Sequence, residues 1–324
     1  MANNYKTELN KTCIITGVAG YVGLNIAEFL LQKNYKVYGI DNFYSGSRSA
    51  VKKLQKKYRK FYFYQSKFET FKKKIISHNF IHLAAQSSVP KSTLNPSETI
   101  KMNVINLHCA TNLAYNSKVK NFIFASSSAV YGDHGKKKIN EKFKTLPKSV
   151  YAKSKLFNEL ELNLFSNQKK IKISILRLFN IYGGQKKISE YPSVLNIWTN
   201  NILANKKILL HDYGKAVRDF IHIYDVCDLI FKIIISKRKY SFEIFNVGNG
   251  KGVILFDFLK IILKTIKLKI KKKLSPSKIR KIRIPPDSIR ISVCDNRKIR
   301  NFFNYRPKYS IIRGINQFIS NYNY

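Results

Sequence analysis

The sequence predicts an α/β chain built on a doubly wound parallel sheet of the Rossmann type, with a smaller mixed α/β lobe. Three observations predict it. Short apolar strands alternate with helical stretches through the first half. A glycine-rich turn, Gly17-Val-Ala-Gly20-Tyr-Val-Gly23, joins the first strand to the first helix. An acidic residue, Asp41, closes the second strand.

Residues 11–16 read as a buried strand, and residues 24–31 as a helix with Ile26, Phe29 and Leu30 on one face. Residues 35–40 form the second strand. Residues 80–83 and 121–125 are further short apolar strands. Residues 99–116 and 151–165 are helical, and residues 171–179 form another strand. After about Asn180 the pattern loosens, punctuated by Gly183, Gly184, Gly214, Gly248 and Gly250, before a helix over residues 257–267. The expected division is an NAD-binding domain over residues 1–180 and a mainly substrate-binding lobe over residues 181–324, with some segments returning to the first domain.

Gly17, Gly20 and Gly23 suit a turn where backbone must approach a pyrophosphate closely, with a helix N-terminus facing its charge. Asp41 lies 18 residues past Gly23. A carboxylate there accepts bonds from a ribose hydroxyl and repels a ribose phosphate, which favours NAD over NADP.

Tyr151 and Lys155 are four residues apart on a helix, so they share a face. A free phenol, with a pKa near ~10, is a poor base at neutral pH. An ammonium about 4 Å away, at an effective dielectric near 20, is worth roughly 4 kcal/mol, or about 3 pK units. The positive ring of an oxidised nicotinamide adds to this. The expectation is a phenolate near neutrality that takes a proton from a substrate hydroxyl while hydride leaves the same carbon. Ser127, 24 residues before Tyr151 at the end of a strand, is expected to hydrogen-bond that same oxygen.

The charge balance is unusual: 60 Lys and Arg against 18 Asp and Glu, a formal +42. One reading is a nucleic-acid or anionic-surface binder. The other is compositional drift toward Lys, Asn, Ile, Tyr and Phe, whose codons are AT-rich. The lysines are spread along the whole chain, including a basic stretch over residues 260–290, and this favours drift. No specific nucleic-acid partner is expected. Cys13, Cys109, Cys227 and Cys294 show no Cys-x-x-Cys spacing, so neither a disulfide framework nor a metal site is indicated. No apolar run reaches bilayer length, and residues 1–10 are polar, so a cytoplasmic protein without membrane insertion is expected.

Taken together, these residues resemble the extended short-chain dehydrogenase/reductase family, and within it the nucleotide-sugar 4-epimerases. The likeness rests on Thr16 to Gly23, Asp41-Asn42-Phe43, His82-Leu-Ala-Ala85, the run from Asn121 through Ser126-Ser-Ser128 to Asp133, Tyr151 to Lys155, Leu178-Phe-Asn180, Arg218-Asp-Phe-Ile-His222 and Phe245-Asn-Val-Gly248. In such enzymes the catalytic Ser or Thr lies four residues before the Tyr of the Val-Tyr-Gly run, which selects Ser127.

The resemblance implies NAD held by Gly17, Gly20, Tyr21, Val22, Gly23, Asp41, Asn42, Ala84, Tyr151 and Lys155, with Ser127, Tyr151 and Lys155 catalytic. It implies a UDP-sugar held by Ser88, Ser127, Asn180, Arg218, Arg283, Arg290 and Ser292. It further implies a 4-keto intermediate that swings while its nucleotide stays anchored, and a homodimer paired through the helices at 99–116 and 151–165.

Ser292 stands at a position that gates the C2 pocket in similar enzymes, three residues before Asp295. Its small size leaves room for an acetamido group. The stretches Ser88-Val-Pro-Lys-Ser92 and Trp198-Thr199 also resemble epimerases of UDP-N-acetylglucosamine, preferred here over UDP-glucose. Two departures stand out. Ser66 replaces the Asp that usually follows the third strand, which implies a looser adenine pocket, and Arg283-Ile-Pro-Pro-Asp287 alters the usual Arg-x-Gly-Asp.

Competing readings remain on the same residues. Dehydratases resembling this family place acidic residues directly after the catalytic Ser or Thr, where Ser128 and Ala129 stand here. A UDP-glucuronate decarboxylase or epimerase fits the same scaffold. A non-catalytic NAD-binding, nucleic-acid-binding sensor would have no need of Ser127, Tyr151 and Lys155.

Overall fold

The computed structural model describes residues 9–135, 137–184, 193–270, 279–282 and 289–321. Its centre is a sheet of seven strands: β1 (Thr12–Thr16), β2 (Lys36–Asp41), β3 (Phe61–Gln65), β4 (Asn79–His82), β5 (Asn121–Ser127), β6 (Lys172–Leu178) and, after three strands that lie elsewhere, β10 (Phe242–Val247). The spatial order is β3-β2-β1-β4-β5-β6-β10, and every neighbouring pair is parallel. The order reverses between β1 and β4. Ligands in such sheets bind outside the carboxyl ends of the strands at that reversal.

Helices cover both faces of the sheet, so the central positions of its strands are apolar, with polar residues mostly at the strand ends. Alternation then sorts side chains to opposite faces. Cys13, Ile15, Val37, Ile81 and Ile123 face a core shared with α1 (Tyr21–Gln32) and α2 (Arg48–Lys57). Ile14, Ile40, Phe80, Phe122 and Phe124 face the other core. That second core includes Leu107, Ala110 and Ala114 of one helix and Leu162 of another.

The expected helix over 99–116 is in fact segmented. After the short α3 (Val89–Leu94), α4 (Pro96–Ile100) runs through a π-helical turn, Lys101–Ile105, into α5 (Asn106–Asn116). The long α6 (Val150–Lys169) begins at Ser149, whose hydroxyl accepts from the Ala152 amide. Between β3 and β4 the crossover carries only a 3-10 turn, Phe68–Thr70.

Beyond β6 the chain builds a second, smaller layer. The strand β9 (Val217–His222) pairs with β7 (Asn180–Tyr182), β11 (Gly252–Ile254) and β13 (Ile291–Ser292), while β8 (Ile208–His211) pairs with β12 (Ile279–Ile282). Its core joins α7 (Val194–Leu203), α9 (Leu255–Ile270) and α11 (Ile311–Ser320) around Trp198, Phe220 and Phe258. Two later helices, α8 (Ile223–Ile235) and α10 (Arg297–Phe303), pack instead with α1 on the central sheet. No helix among the described residues is long and apolar enough to cross a membrane.

Candidate active site

A cavity of about 290 Å³ opens at the carboxyl ends of β1, β2, β4, β5 and β6. Gly17, Gly20, Tyr21, Val22, Gly23, Asp41, Asn42, Ala84, Ser127, Tyr151 and Lys155 all line it. Every residue expected to hold the dinucleotide is therefore in one place.

The glycine turn is required by close packing. Gly17 sits at φ +67°, and a side chain there would meet the backbone nitrogen of Ala84 at 2.7 Å. A Cβ at Gly23 would lie 2.7 Å from Val18 Cα. The N-terminus of α1 is capped by no side chain, so its first amides stay available to an anion. Asp41 accepts from the amides of Ala19 (2.9 Å) and Phe43 (2.7 Å), which fixes the carboxylate at the cavity wall. Burial pushes its pKa up, and those amides oppose the shift. A glycine cradle, uncapped amides and a fixed carboxylate fit a dinucleotide with a free ribose diol.

The chemical groups sit at the other end of the cavity. Tyr151 and Lys155 lie on one face of α6, and Ser127, the last residue of β5, lines the same cavity beside them, its hydroxyl accepting from the Ala129 amide. Lys155 donates to the Ala125 carbonyl at 2.7 Å, and its ammonium lies 4.7 Å from the centre of the Phe124 ring. Ser126, one residue before Ser127, instead donates to Glu159. Strand alternation thus separates the adjacent serines by role.

The electrostatics correct the expectation of a phenolate produced by Lys155. Burial raises the Tyr151 pKa above its ordinary value, and only the Ser127 hydroxyl nearby opposes it. Burial lowers Lys155 to about 7, with Glu159 pulling it back up. Desolvation penalises phenolate and ammonium alike, so the chain alone leaves the phenol protonated. Ionising it falls to charge that the chain does not itself supply.

The expected substrate residues form a second group. Asn180 on β7 donates to the Asp219 carbonyl on β9, and Ser292 on β13 is in register with Arg218 on β9. Arg290, just before β13, accepts from Arg218 and donates its amide to Asp133. None of these lines the first cavity. Arg218 also spends guanidinium bonds on the carbonyls of Val217 and Ile289, which leaves fewer donors for phosphate than the motif suggests. Ser88 is a helix cap, its hydroxyl accepting from the Lys91 amide. Trp198 and Thr199 are buried in the core of the smaller layer rather than facing either group. Arg283 and Asp287 lie outside the described residues, as does much of the basic stretch over 260–290.

Other residues were missed. Tyr44, Phe68, Met102 and Asn106 line the first cavity and also an adjoining one of about 440 Å³. Ser66, noted as a departure, lines the first, and its hydroxyl is turned to the Lys67 carbonyl. The buried amide of Asn103, inside the π turn, donates to the Gln86 carbonyl and to Ser154, and accepts from the Gln86 amide. Asn158 of α6 donates to the Asn103 carbonyl, so the π turn is bolted to the helix that carries Tyr151.

Comparison with known proteins shows the family. A family model described as GDP-mannose 4,6 dehydratase matches residues 14–318. An uncharacterized protein of Methanocaldococcus jannaschii is 32% identical over 324 residues, 95% of each chain. A UDP-glucose 4-epimerase of Mycoplasma genitalium is 30% identical, covering 77% of this chain and 80% of its own. Among solved structures, a UDP-N-acetylglucosamine 4-epimerase from Methanobrevibacter ruminantium superposes with a TM-score of 0.83 over 95% of this chain and 98% of its own. At 24% identity that last likeness shows the fold alone.

Proposed function

The chain belongs to the GDP-mannose 4,6 dehydratase family of extended short-chain dehydrogenase/reductases, and on that premise we propose that it is an NAD-dependent 4-epimerase of a UDP-sugar. The observation that carries this is the meeting of Ser127, Tyr151 and Lys155 with the glycine turn and Asp41 in one cavity. The M. genitalium relative's name supports the same reaction.

Bound NAD supplies the acceptor, and later the donor, of hydride at the sugar's C4. Tyr151 is the group that takes the 4-hydroxyl proton and returns it, and Ser127 hydrogen-bonds the oxygen that passes between hydroxyl and ketone. Lys155, pinned by the Ala125 carbonyl, lines the same cavity on the same helix face, and its ammonium form favours ionisation of the phenol. Epimerisation is favoured over dehydration because Ser128 and Ala129 follow Ser127. Loss of water from a neighbouring carbon needs an acid to protonate the departing hydroxyl, and neither residue can do so.

For the sugar we favour UDP-N-acetylglucosamine, with UDP-glucose as the second reading. Ser292 is small and buried, in register with Arg218, at the position where by resemblance a bulky residue would close the C2 pocket. We also infer a homodimer through the helical segment 99–116 and α6, where Ile105, Tyr115, Phe157, Leu160 and Leu164 are exposed. Incubation with UDP-glucose, UDP-N-acetylglucosamine and UDP-glucuronate, with C4 configuration scored by NMR, tests the proposal. Inversion at C4 supports it. Release of carbon dioxide or water, or no conversion of any member, counts against it.

A further inference from the structure

The helix face that carries Tyr151 and Lys155 bears a third polar group one turn further on, Glu159. Its side chain is only 3% exposed. It receives Arg177 through Nε at 3.0 Å and through Nη2 at 2.6 Å, and it receives the hydroxyl of Ser126. Ser126 and Arg177 are register partners on β5 and β6. One carboxylate therefore ties α6 to both strands, immediately beside Ser127. The Arg177 guanidinium lies over the Tyr131 ring at 4.7 Å, and the Tyr131 hydroxyl donates to Asn246 at 2.7 Å. The network reaches from the catalytic helix to β10.

A buried ion pair is weak evidence for stability, because desolvation offsets the attraction. Its position suggests another purpose. The charged and titratable groups facing Lys155 are few. On its own helix they are Tyr151 and Glu159. From β4 comes His82, which shares a hydrogen bond with Thr16 and is held neutral, its pKa lowered to about 3 by burial and by Lys155 itself. From β6, Arg177 is turned onto Glu159. Glu159 is thus the negative charge acting on Lys155, and it opposes the burial that drives the ammonium toward neutrality.

We propose that Glu159 is a positioning residue that keeps Lys155 charged, with Ser126 and Arg177 fixing its carboxylate between the strand of Ser127 and the helix of Tyr151. This rests on the reading of Tyr151 as base and extends it. Without the carboxylate, Lys155 loses its proton at lower pH, and the phenol loses its cationic neighbour across the neutral range.

The test reads Lys155 directly in the cofactor-free chain, by trace acetylation with acetic anhydride across pH and peptide mass spectrometry. Glu159→Gln is expected to lower the titration midpoint of Lys155 by about one unit. In turnover the alkaline limb of kcat moves down with it, and kcat at pH 7.5 falls roughly tenfold while KM for the UDP-sugar stays within about twofold. Because Glu159→Gln leaves Arg177 buried and unpaired, the double variant Glu159→Gln/Arg177→Met serves as the folded control and should shift Lys155 in the same direction. Ser126→Ala keeps the charge and should leave the midpoint in place. An unchanged midpoint in the double variant overturns the proposal, as does an equal shift in Ser126→Ala. A shifted midpoint in a chain that turns over no UDP-sugar would count against the epimerase reading and leave this one standing.

Discussion

The ammonium of Lys155 lies 2.7 Å from the carbonyl oxygen of Ala125, two residues before Ser127 on the same strand. Together with the Ser126–Glu159 bond, it sets the helix carrying the base against the strand carrying its hydroxyl partner. It also holds a cation in a buried place, and the first prediction follows from that.

Lys155 has its folded pKa depressed from 10.5 to about 7. Between those values the unfolded chain binds the extra proton, so stability rises with pH across that window. Below about 7 the burial penalty is present in full. Lys155→Met is therefore expected to melt above the wild type at pH 6, by about 2–4 °C for each kcal/mol released. That advantage should shrink as pH approaches 10, while turnover is lost throughout. Thermal melts of both proteins from pH 6 to 10 check this. A constant difference across the range would show that the lysine is not desolvated.

Tyr151→Phe removes the proton acceptor and leaves the ring's packing intact. Turnover should fall at least about a thousandfold, with NAD affinity within about threefold of wild type. Equilibrium dinucleotide binding and the NMR assay of C4 inversion measure the two separately. Full activity in this variant would refute the assignment of the base.

Gly17→Ala places a Cβ against the backbone of Ala84 at a φ of +67°. The expected cost is about 1–3 kcal/mol of stability, accompanied by loss of dinucleotide binding because the turn must open. Denaturant titration and calorimetric NAD binding test it. A variant that binds NAD normally would mean the turn does not approach the pyrophosphate.

Ser292→Tyr puts a bulky ring at the position in register with Arg218. The expectation is more than about tenfold loss of kcat/KM for N-acetylated UDP-sugars, with UDP-glucose retained. Equal effects on both substrates would remove Ser292 from the question of sugar size.

The cofactor half of the site was legible because its chemistry is local. The glycine spacing, Asp41 at a strand end, and Tyr151 four residues before Lys155 are all short-range patterns. What escaped depends on contacts far apart in sequence. The π turn is held by Asn103 reaching Gln86 and Ser154, and nothing in the helical period of residues 99–116 announces it. The smaller layer hides for a similar reason. Strands β7, β11 and β13 are two or three residues long and exist by pairing with β9. The phenol's ionisation was misjudged because spacing gives the distance between Tyr151 and Lys155 but not the loss of water around both.

The outermost parallel strand of the central sheet, Phe242–Val247, is supplied late in the chain and lies against Lys172–Leu178. During translation the ribosome therefore releases six neighbouring strands long before the seventh. Until it arrives, the backbone of Lys172–Leu178 is an open edge able to recruit another nascent chain. A truncation before Phe242 should make that exposure permanent, and accumulate as insoluble material rather than as a free-standing nucleotide-binding fragment.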